Sequence, residues 1–260
     1  MSVRNKIKGD DCRVLPKNNG EWDSLEEYLL FLKHFAAYDF AKNYVGDKTV
    51  LEVGCGEGYG SRALSNCAGR VIGVDSSAEI INLAKEKYRE DNLVYAVAEG
   101  QKLPFESGVM DVVVSFQVIE HLPPDEAPLF LAEMKRVLKD RGVFISSTPN
   151  RKMRLLPFQK PWNAFHLKEY SPEEFKALLG SVFSSVEIKG LYGVGGIEEI
   201  ETRRVRKIAW ASFFAFPLLR PFAKLRSGHK PRLMNYGLEH FRVDSSRVSK
   251  CFDLIGVCIK

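Results

Sequence analysis

No stretch of this chain carries the run of about 20 apolar residues that a bilayer-spanning helix needs. The longest candidate, residues 208–219, has 12 apolar or small residues and is interrupted by Pro217. Residues 1–11 are charged and contain no apolar segment, so no secretory signal is expected. Cysteine is scarce: Cys12, Cys55, Cys67, Cys251 and Cys258 are odd in number and have neither C-x-x-C nor zinc-ligand spacing. That argues against a disulfide scaffold or a structural zinc site and suits reduced thiols in a cytoplasmic protein. There is no internal repeat and no low-complexity tract. The apolar fraction of 45% and charged fraction of 27% are those of an ordinary globular protein, and 260 residues can bury one full-sized core.

Charge is present but uneven. The net charge is +5, yet residues 201–232 hold nine Lys or Arg against one acid, which is +8 and leaves 5 − 8 = −3 elsewhere. The basic character therefore belongs to one surface, and no general affinity for nucleic acid is expected.

The most informative stretch is Val50-Leu51-Glu52-Val53-Gly54-Cys55-Gly56-Glu57-Gly58-Tyr59-Gly60-Ser61. A short apolar strand runs into glycines at every second position, and Arg62-Ala63-Leu64 starts a helix directly afterwards. Strand, glycine turn and helix form the arrangement by which a parallel sheet offers backbone N–H groups to a nucleotide-sized ligand. A dinucleotide fingerprint counted from Gly54 places Tyr59 where a small residue is wanted. Counted from Gly58 it starts five residues after the strand. The pattern E-x-G-x-G-x-G is met by Glu52, Gly54, Gly56 and Gly58 as they stand.

Around this turn the spacing predicts alternating elements. Asp23 or Ser24 caps a helix to about residue 44, with Leu25, Tyr28, Leu29, Leu32, Phe35 and Phe40 as its apolar stripe. Strands are expected at 49–53, 70–74, 93–98, 110–116 and 142–146, with helices between them; the last two strands fall at 184–188 and 252–259. The fold class is α/β, a doubly wound, mostly parallel seven-stranded sheet. Residues 1–22 read as a loose arm and 23–260 as a single domain. Within the domain, residues 150–171 form a lid, and a helical, basic and aromatic insertion covers about 197–240.

Further segments follow in order: Asp75 closing the second strand, Ala98-Glu99-Gly100-Gln101-Lys102-Leu103-Pro104-Phe105, Gln117-Val118-Ile119-Glu120-His121-Leu122, Arg136-Val137-Leu138-Lys139 and Ser147-Thr148-Pro149-Asn150-Arg151. Together with the glycine turn they resemble the class I S-adenosylmethionine-dependent methyltransferases. With residues 163–171 the likeness narrows to bacterial-type enzymes of surface-glycan and glycolipid modification and to quinone-type O-methyltransferases. The resemblance implies a Rossmann-like fold whose last strand is antiparallel, and S-adenosyl-L-methionine as cofactor. It assigns Glu52 to the methionine end, Gly54, Cys55, Gly56 and Gly58 to the cofactor loop, and Asp75 with Ser76 to the ribose. Glu99 and Gly100 go to the adenine, and Gln117 to a polar contact nearby. Asp75 and Glu99 also have plainer readings, as a helix cap and as a solvated loop acid.

Methyl transfer to a neutral hydroxyl requires loss of a proton, and His121 and His166 fall after the fourth and fifth strands, where an acceptor would sit. His121 ranks first; either ring could instead serve only packing. Related quinone enzymes gather Glu, Glu and His around a divalent ion, but Gln117 stands in place of the first acid, so no metal is expected. Phe158, Trp162, Phe165 and Tyr170 suit a sugar or other amphipathic acceptor, or simply close a small core. O-methylation of a sugar or glycolipid is the leading reading. The alternatives are C- or N-methylation of a quinone-like, lipid or amine molecule, a cofactor-binding module without catalysis, and, more remotely, an NAD oxidoreductase. Residues 203–226 read either as a peripheral membrane contact or as a cap over the acceptor pocket or a dimer seam.

Overall fold

The computed structural model of the protein describes residues 22–214 and 236–260, with side chains as far as Ala209 in the first segment. Residues 1–21 of the loose arm expected at 1–22, and the basic run beyond Phe214, lie outside the described residues. Trp22, which the sequence assigned to the arm, is instead buried against Tyr28 and Phe31.

The order of elements is α1 (Leu25–Val45), β1 (Thr49–Val53), α2 (Tyr59–Ser65), β2 (Arg70–Asp75), α3 (Ala78–Lys87), β3 (Leu93–Val97) and β4 (Met110–Phe116). There follow α4 (Ala127–Val137), β5 (Leu138–Pro149), α5 (Arg151–Arg154), α6 (Pro172–Gly180), β6 (Ser185–Gly193), α7 (Ile197–Phe214), β7 (Phe241–Asp244) and β8 (Asp253–Ile259). The strands lie in the order β3-β2-β1-β4-β5-β8-β6-β7. The first five are parallel, while β8 runs antiparallel to both β5 and β6. The sheet has eight strands among the described residues rather than seven. The addition is β7, four residues paired antiparallel with the edge of β6. It is too short, and too mixed in burial, to show as a period-2 pattern.

The central strands are buried on both faces and read as continuous apolar runs, as a covered parallel sheet requires. One face is covered by α1 with α2 and α3, the other by α4 and α6. The cap of α1 is Ser24, whose Oγ accepts from Glu27 N. Leu29, Leu32, Ala36, Ala41 and Val45 form its buried line, but the helix also buries Lys33 and Tyr38, which an apolar stripe would not include. Lys33 reaches Asp253 at the start of β8, Nζ to Oδ1 2.8 Å, inside the protein. Strand order reverses between β1 and β4, and there, at the carboxyl ends of the strands, the sheet opens a crevice.

Candidate active site

A cleft of ≈ 700 Å³ occupies that crevice, in the upper part of the roughly 300–1,000 Å³ range of small-molecule sites. Its floor is the turn after β1. Gly54 and Cys55 donate their N–H groups to Val74 O at 2.8 and 3.0 Å, which fastens the turn to β2. Gly56 has φ +53, and a Cβ there would meet nothing within 4 Å; the space beside it is the cleft. Glycine is needed at this position for the left-handed backbone and for close approach of a ligand. Gly58 has φ +84 and starts α2, but it does not line the cleft. Its carbonyl accepts from Tyr95 OH at 2.8 Å, and an added Cβ would lie 2.5 Å from that oxygen.

Cys55, Asp75, Ser76, Glu99, Gly100 and Gln117 all line the cleft with Gly54 and Gly56. Asp75 does more than face it: Oδ2 accepts from Gly56 N at 3.1 Å and Oδ1 from Ser77 N at 3.0 Å. The carboxylate thus fixes the turn, while lone pairs remain for a ligand. Ser77, not Ser76, caps α3. Burial, with the charges of Glu52 and Asp75, holds the Cys55 thiol well above its ordinary pKa, so it is no nucleophile. Gln117 has φ +56, unusual for a residue with a side chain, and its amide is directed to Ser147 Oγ (3.2 Å) and Asp253 Oδ2 (3.4 Å).

Glu52 departs from its expected place. It is fully buried beneath the turn and does not line the cleft, because its carboxyl accepts from Tyr38 OH at 2.6 Å and Ser61 Oγ at 2.5 Å. Burial pushes its pKa to about 7 against the pull of those two hydrogen bonds. Tyr38, from α1, occupies the cleft wall instead.

The opposite wall is built by the turn after β4 and the segment after β5. Glu120 is buried, with Oε2 accepting from Thr148 Oγ1 at 3.1 Å and Oε1 without a hydrogen bond among the described residues; burial raises its pKa to about 8. Its backbone carbonyl accepts from Leu167 N (2.8 Å) and Lys168 N (3.2 Å), pinning residues 163–168 over the cleft. His121 and His166 are brought together, edge to face, with ring centroids 4.9 Å apart. His121 Nδ1 lies 2.9 Å from Phe165 O, and His166 Nδ1 lies 2.8 Å from Glu169 Oε1. Both partners are acceptors, which puts a proton on Nδ1 of each ring. Glu169 also accepts from Arg154 Nε at 3.1 and 3.2 Å. Burial raises its pKa, but the His166 bond and the Arg154 charge outweigh it and keep the carboxyl below the usual range.

One ligand atom each from Glu120, His121 and His166 lies within 4.8 Å of the other two. The gathering differs from the one the sequence suggested, since the third group is His166 and not Gln117. Arg154 stacks on Trp162, its guanidinium 4.1 Å from the ring centre. Sequence reasoning missed Tyr38, Lys33, His34, Arg154 and Arg204, all of which line the cleft. The one available signal was the pair Lys33-His34 set within the otherwise apolar face of α1.

Comparison with known proteins shows the family. Residues 51–146 match the family described as a methyltransferase domain. A probable S-adenosylmethionine-dependent methyltransferase of Mycolicibacterium smegmatis is 37% identical over 180 residues, 68% of this chain and 68% of that one. The chain belongs to the S-adenosylmethionine-dependent methyltransferases. A fatty-acid O-methyltransferase of the same organism is 33% identical over 127 residues, 48% of this chain and 44% of its own. Among solved structures, a methyltransferase of Thermotoga maritima described as a possible histamine N-methyltransferase superposes with TM-score 0.58 at 14% identity. It covers 90% of this chain and 95% of that one, a likeness of fold. The enzyme's cofactor is S-adenosyl-L-methionine. The residues present fit such a group: a glycine turn with a cleft-facing backbone, and Asp75 at the end of β2 with acceptor capacity beyond its two backbone bonds.

Proposed function

We propose that the enzyme O-methylates a hydroxyl of an amphipathic acceptor, a sugar or glycolipid in class. The turn from Gly54 to Gly58, with Asp75, Ser76, Glu99 and Gly100, holds the cofactor, and Gln117 borders it. Bound there, the cofactor supplies an electrophilic methyl group and its own leaving group. The chain's task is to align the acceptor and remove its proton.

The observation that carries this reading is the His121–His166 pair, with both Nδ1 atoms engaged by acceptors. A ring so held presents Nε2 as a base. His166 has the stronger claim of the two, because the Glu169 carboxylate behind it stabilises the imidazolium as it forms. His121, ranked first from the sequence, has the backbone carbonyl of Phe165 at its Nδ1 in place of a carboxylate. Trp162 and Phe165 on the same wall offer faces to the apolar side of a sugar or lipid.

His166→Ala is expected to lower turnover by about 10²–10⁴-fold with S-adenosylhomocysteine affinity unchanged, and His121→Ala to lower it less. The assay is transfer of a deuterated methyl group from the cofactor into lipid and glycan extracts, read by mass spectrometry. A labelled product that resists mild alkali, and whose fragmentation places the label on oxygen, is an ether and supports O-methylation of a hydroxyl; a label on nitrogen or carbon overturns it. An alkali-labile label is an ester, the outcome favoured if the chain acts as its fatty-acid relative is named to act. Unchanged turnover in both variants would end the base assignment.

A further inference from the structure

The cleft is longer than the cofactor loop and histidine pair require, and its remaining wall is made by α1, α5 and α7, which contribute Lys33, His34, Arg154 and Arg204. Three of these are cations, and each has a buried acid beside it. Lys33 Nζ is engaged by Asp253. The arginines differ. Arg154 meets Glu169, and Arg204 meets Glu201 (2.7 Å), through Nε alone. Their Nη nitrogens make no hydrogen bond among the described residues, although Arg154 is only 8% exposed and Arg204 18% by side chain. His34 lines the same cleft, close enough to feel both charges, without a hydrogen bond among the described residues. Burial, then the charges of Lys33, Arg154, Arg204 and His166, hold its pKa well below the ordinary value. It is therefore a neutral ring with an N–H to give.

Donors left over on a recessed wall are costly unless something offers them oxygen. The guanidinium edge matches the spacing of two oxygens on one carboxylate or phosphate, and two such edges with an imidazole N–H make a socket for a negative group. Glu169, Glu201, Asp253 and Glu120 do not fill it. Glu169 and Glu201 take the Nε side, Asp253 is held by Lys33 and Gln117, and Glu120 is turned to Thr148.

We propose that Arg154, Arg204 and His34 form a subsite for an oxyanion on the methyl acceptor, so that the substrate is an anionic amphiphile carrying a phosphate or carboxylate beside the hydroxyl that is methylated. The inference rests on the acceptor reading above and narrows it. Water could also satisfy these donors, and the experiment separates the two.

The probes are decyl phosphate, decanoate, decanol and glucose 6-phosphate, titrated calorimetrically into enzyme saturated with S-adenosylhomocysteine. Decyl phosphate or decanoate is expected to bind at least about tenfold tighter than decanol. Glucose 6-phosphate distinguishes a soluble anionic sugar from a lipid-borne one. Arg204→Gln combined with Glu201→Gln, which removes the pair without orphaning either charge, is expected to abolish that advantage, a loss of about 10- to 100-fold, and to leave decanol unchanged. His34→Phe is expected to lose a smaller part. Equal affinity for decyl phosphate, decanoate and decanol overturns the subsite, as does an anion preference that survives the double variant. Failure to bind S-adenosylhomocysteine at all would count against the cofactor site instead, and the first titration reads that separately.

Discussion

Glu52 and Glu120 are carboxyls taken out of water on either side of the cleft, and their shared chemistry makes a stability prediction. Both pKa values are raised from 4.5, to about 7 and about 8. The folded state thus holds these protons more tightly than the unfolded chain. That contribution is complete below about pH 4.5 and is lost as pH rises through 7 and 8. Each tenfold gain in proton affinity is worth ~1.4 kcal/mol, so the ligand-free protein is expected to lose up to a few kcal/mol between about pH 5 and pH 8. Glu52→Gln and Glu120→Gln should each flatten the curve in urea denaturation at the two pH values. A slope identical to wild type would mean that these carboxyls ionise freely. Asp75 behaves differently, since removing it takes away the clamp on Gly56 as well as a ligand contact. Asp75→Ala is expected to weaken S-adenosylhomocysteine binding by roughly 1.5–3 kcal/mol, and Gly56→Val to abolish it, both by calorimetry. The Glu120, His121 and His166 cluster could also receive a divalent ion. Imidazole acting alone predicts full turnover after EDTA treatment; loss restored by added Mg²⁺, Mn²⁺ or Zn²⁺ would transfer the role to a metal.

At the level of elements, the start of α2 is held by a fit that leaves no room. Gly58→Ala forces a side chain into a left-handed conformation and against Tyr95, and is expected to destabilise the fold by ~1–3 kcal/mol in the same denaturation assay. β1 to β5 and their glycine turn were legible in the sequence because each is announced locally, by an apolar run and the residue that ends it. α6 was legible too, with Ser171 and Glu174 forming a reciprocal cap around Pro172. β7 was not, since four residues on an edge carry no period. Nor was the true inner face of α1. Lys33 is acceptable inside only because Asp253 meets it, and Tyr38 because Glu52 does; neither partner can be inferred from the helix alone. The site divides in the same way. The glycine turn is contiguous in sequence, and its Gly54, Cys55 and Gly56 line the cleft as expected, whereas Arg154, Arg204 and His34 come to the cleft from three separate elements.

Taken whole, the molecule lines one cleft with both its early and its late segments. α7 packs on α1 and α5, with Ile197, Val205 and Ala209 buried and Arg203, Arg206 and Lys207 outward. The two readings of this region, a lipid contact or a cap, turn on the aromatic side chains from Trp210 onward, which lie outside the described residues. No helix of the described residues is long and apolar enough to cross a membrane. Surface contact with lipid stays a proposal: flotation with anionic vesicles should weaken with salt and fall when Arg203, Arg206 and Lys207 become Glu. Equal recovery with and without anionic lipid would exclude it.

The buried bond from Lys33 to Asp253 joins positions 220 residues apart. On the ribosome, where about 5–20 residues are added each second, the first helix therefore waits roughly 10–40 s for its partner to be made. Until then Lys33 has no counter-charge inside the protein, and an uncompensated ammonium resists burial. Tyr38 and His34 ride on the same helix, so the nascent chain carries a complete glycine turn and an unfinished cleft. Cofactor capture is thereby expected to follow, not precede, the making of β8, whose Asp253 seats α1.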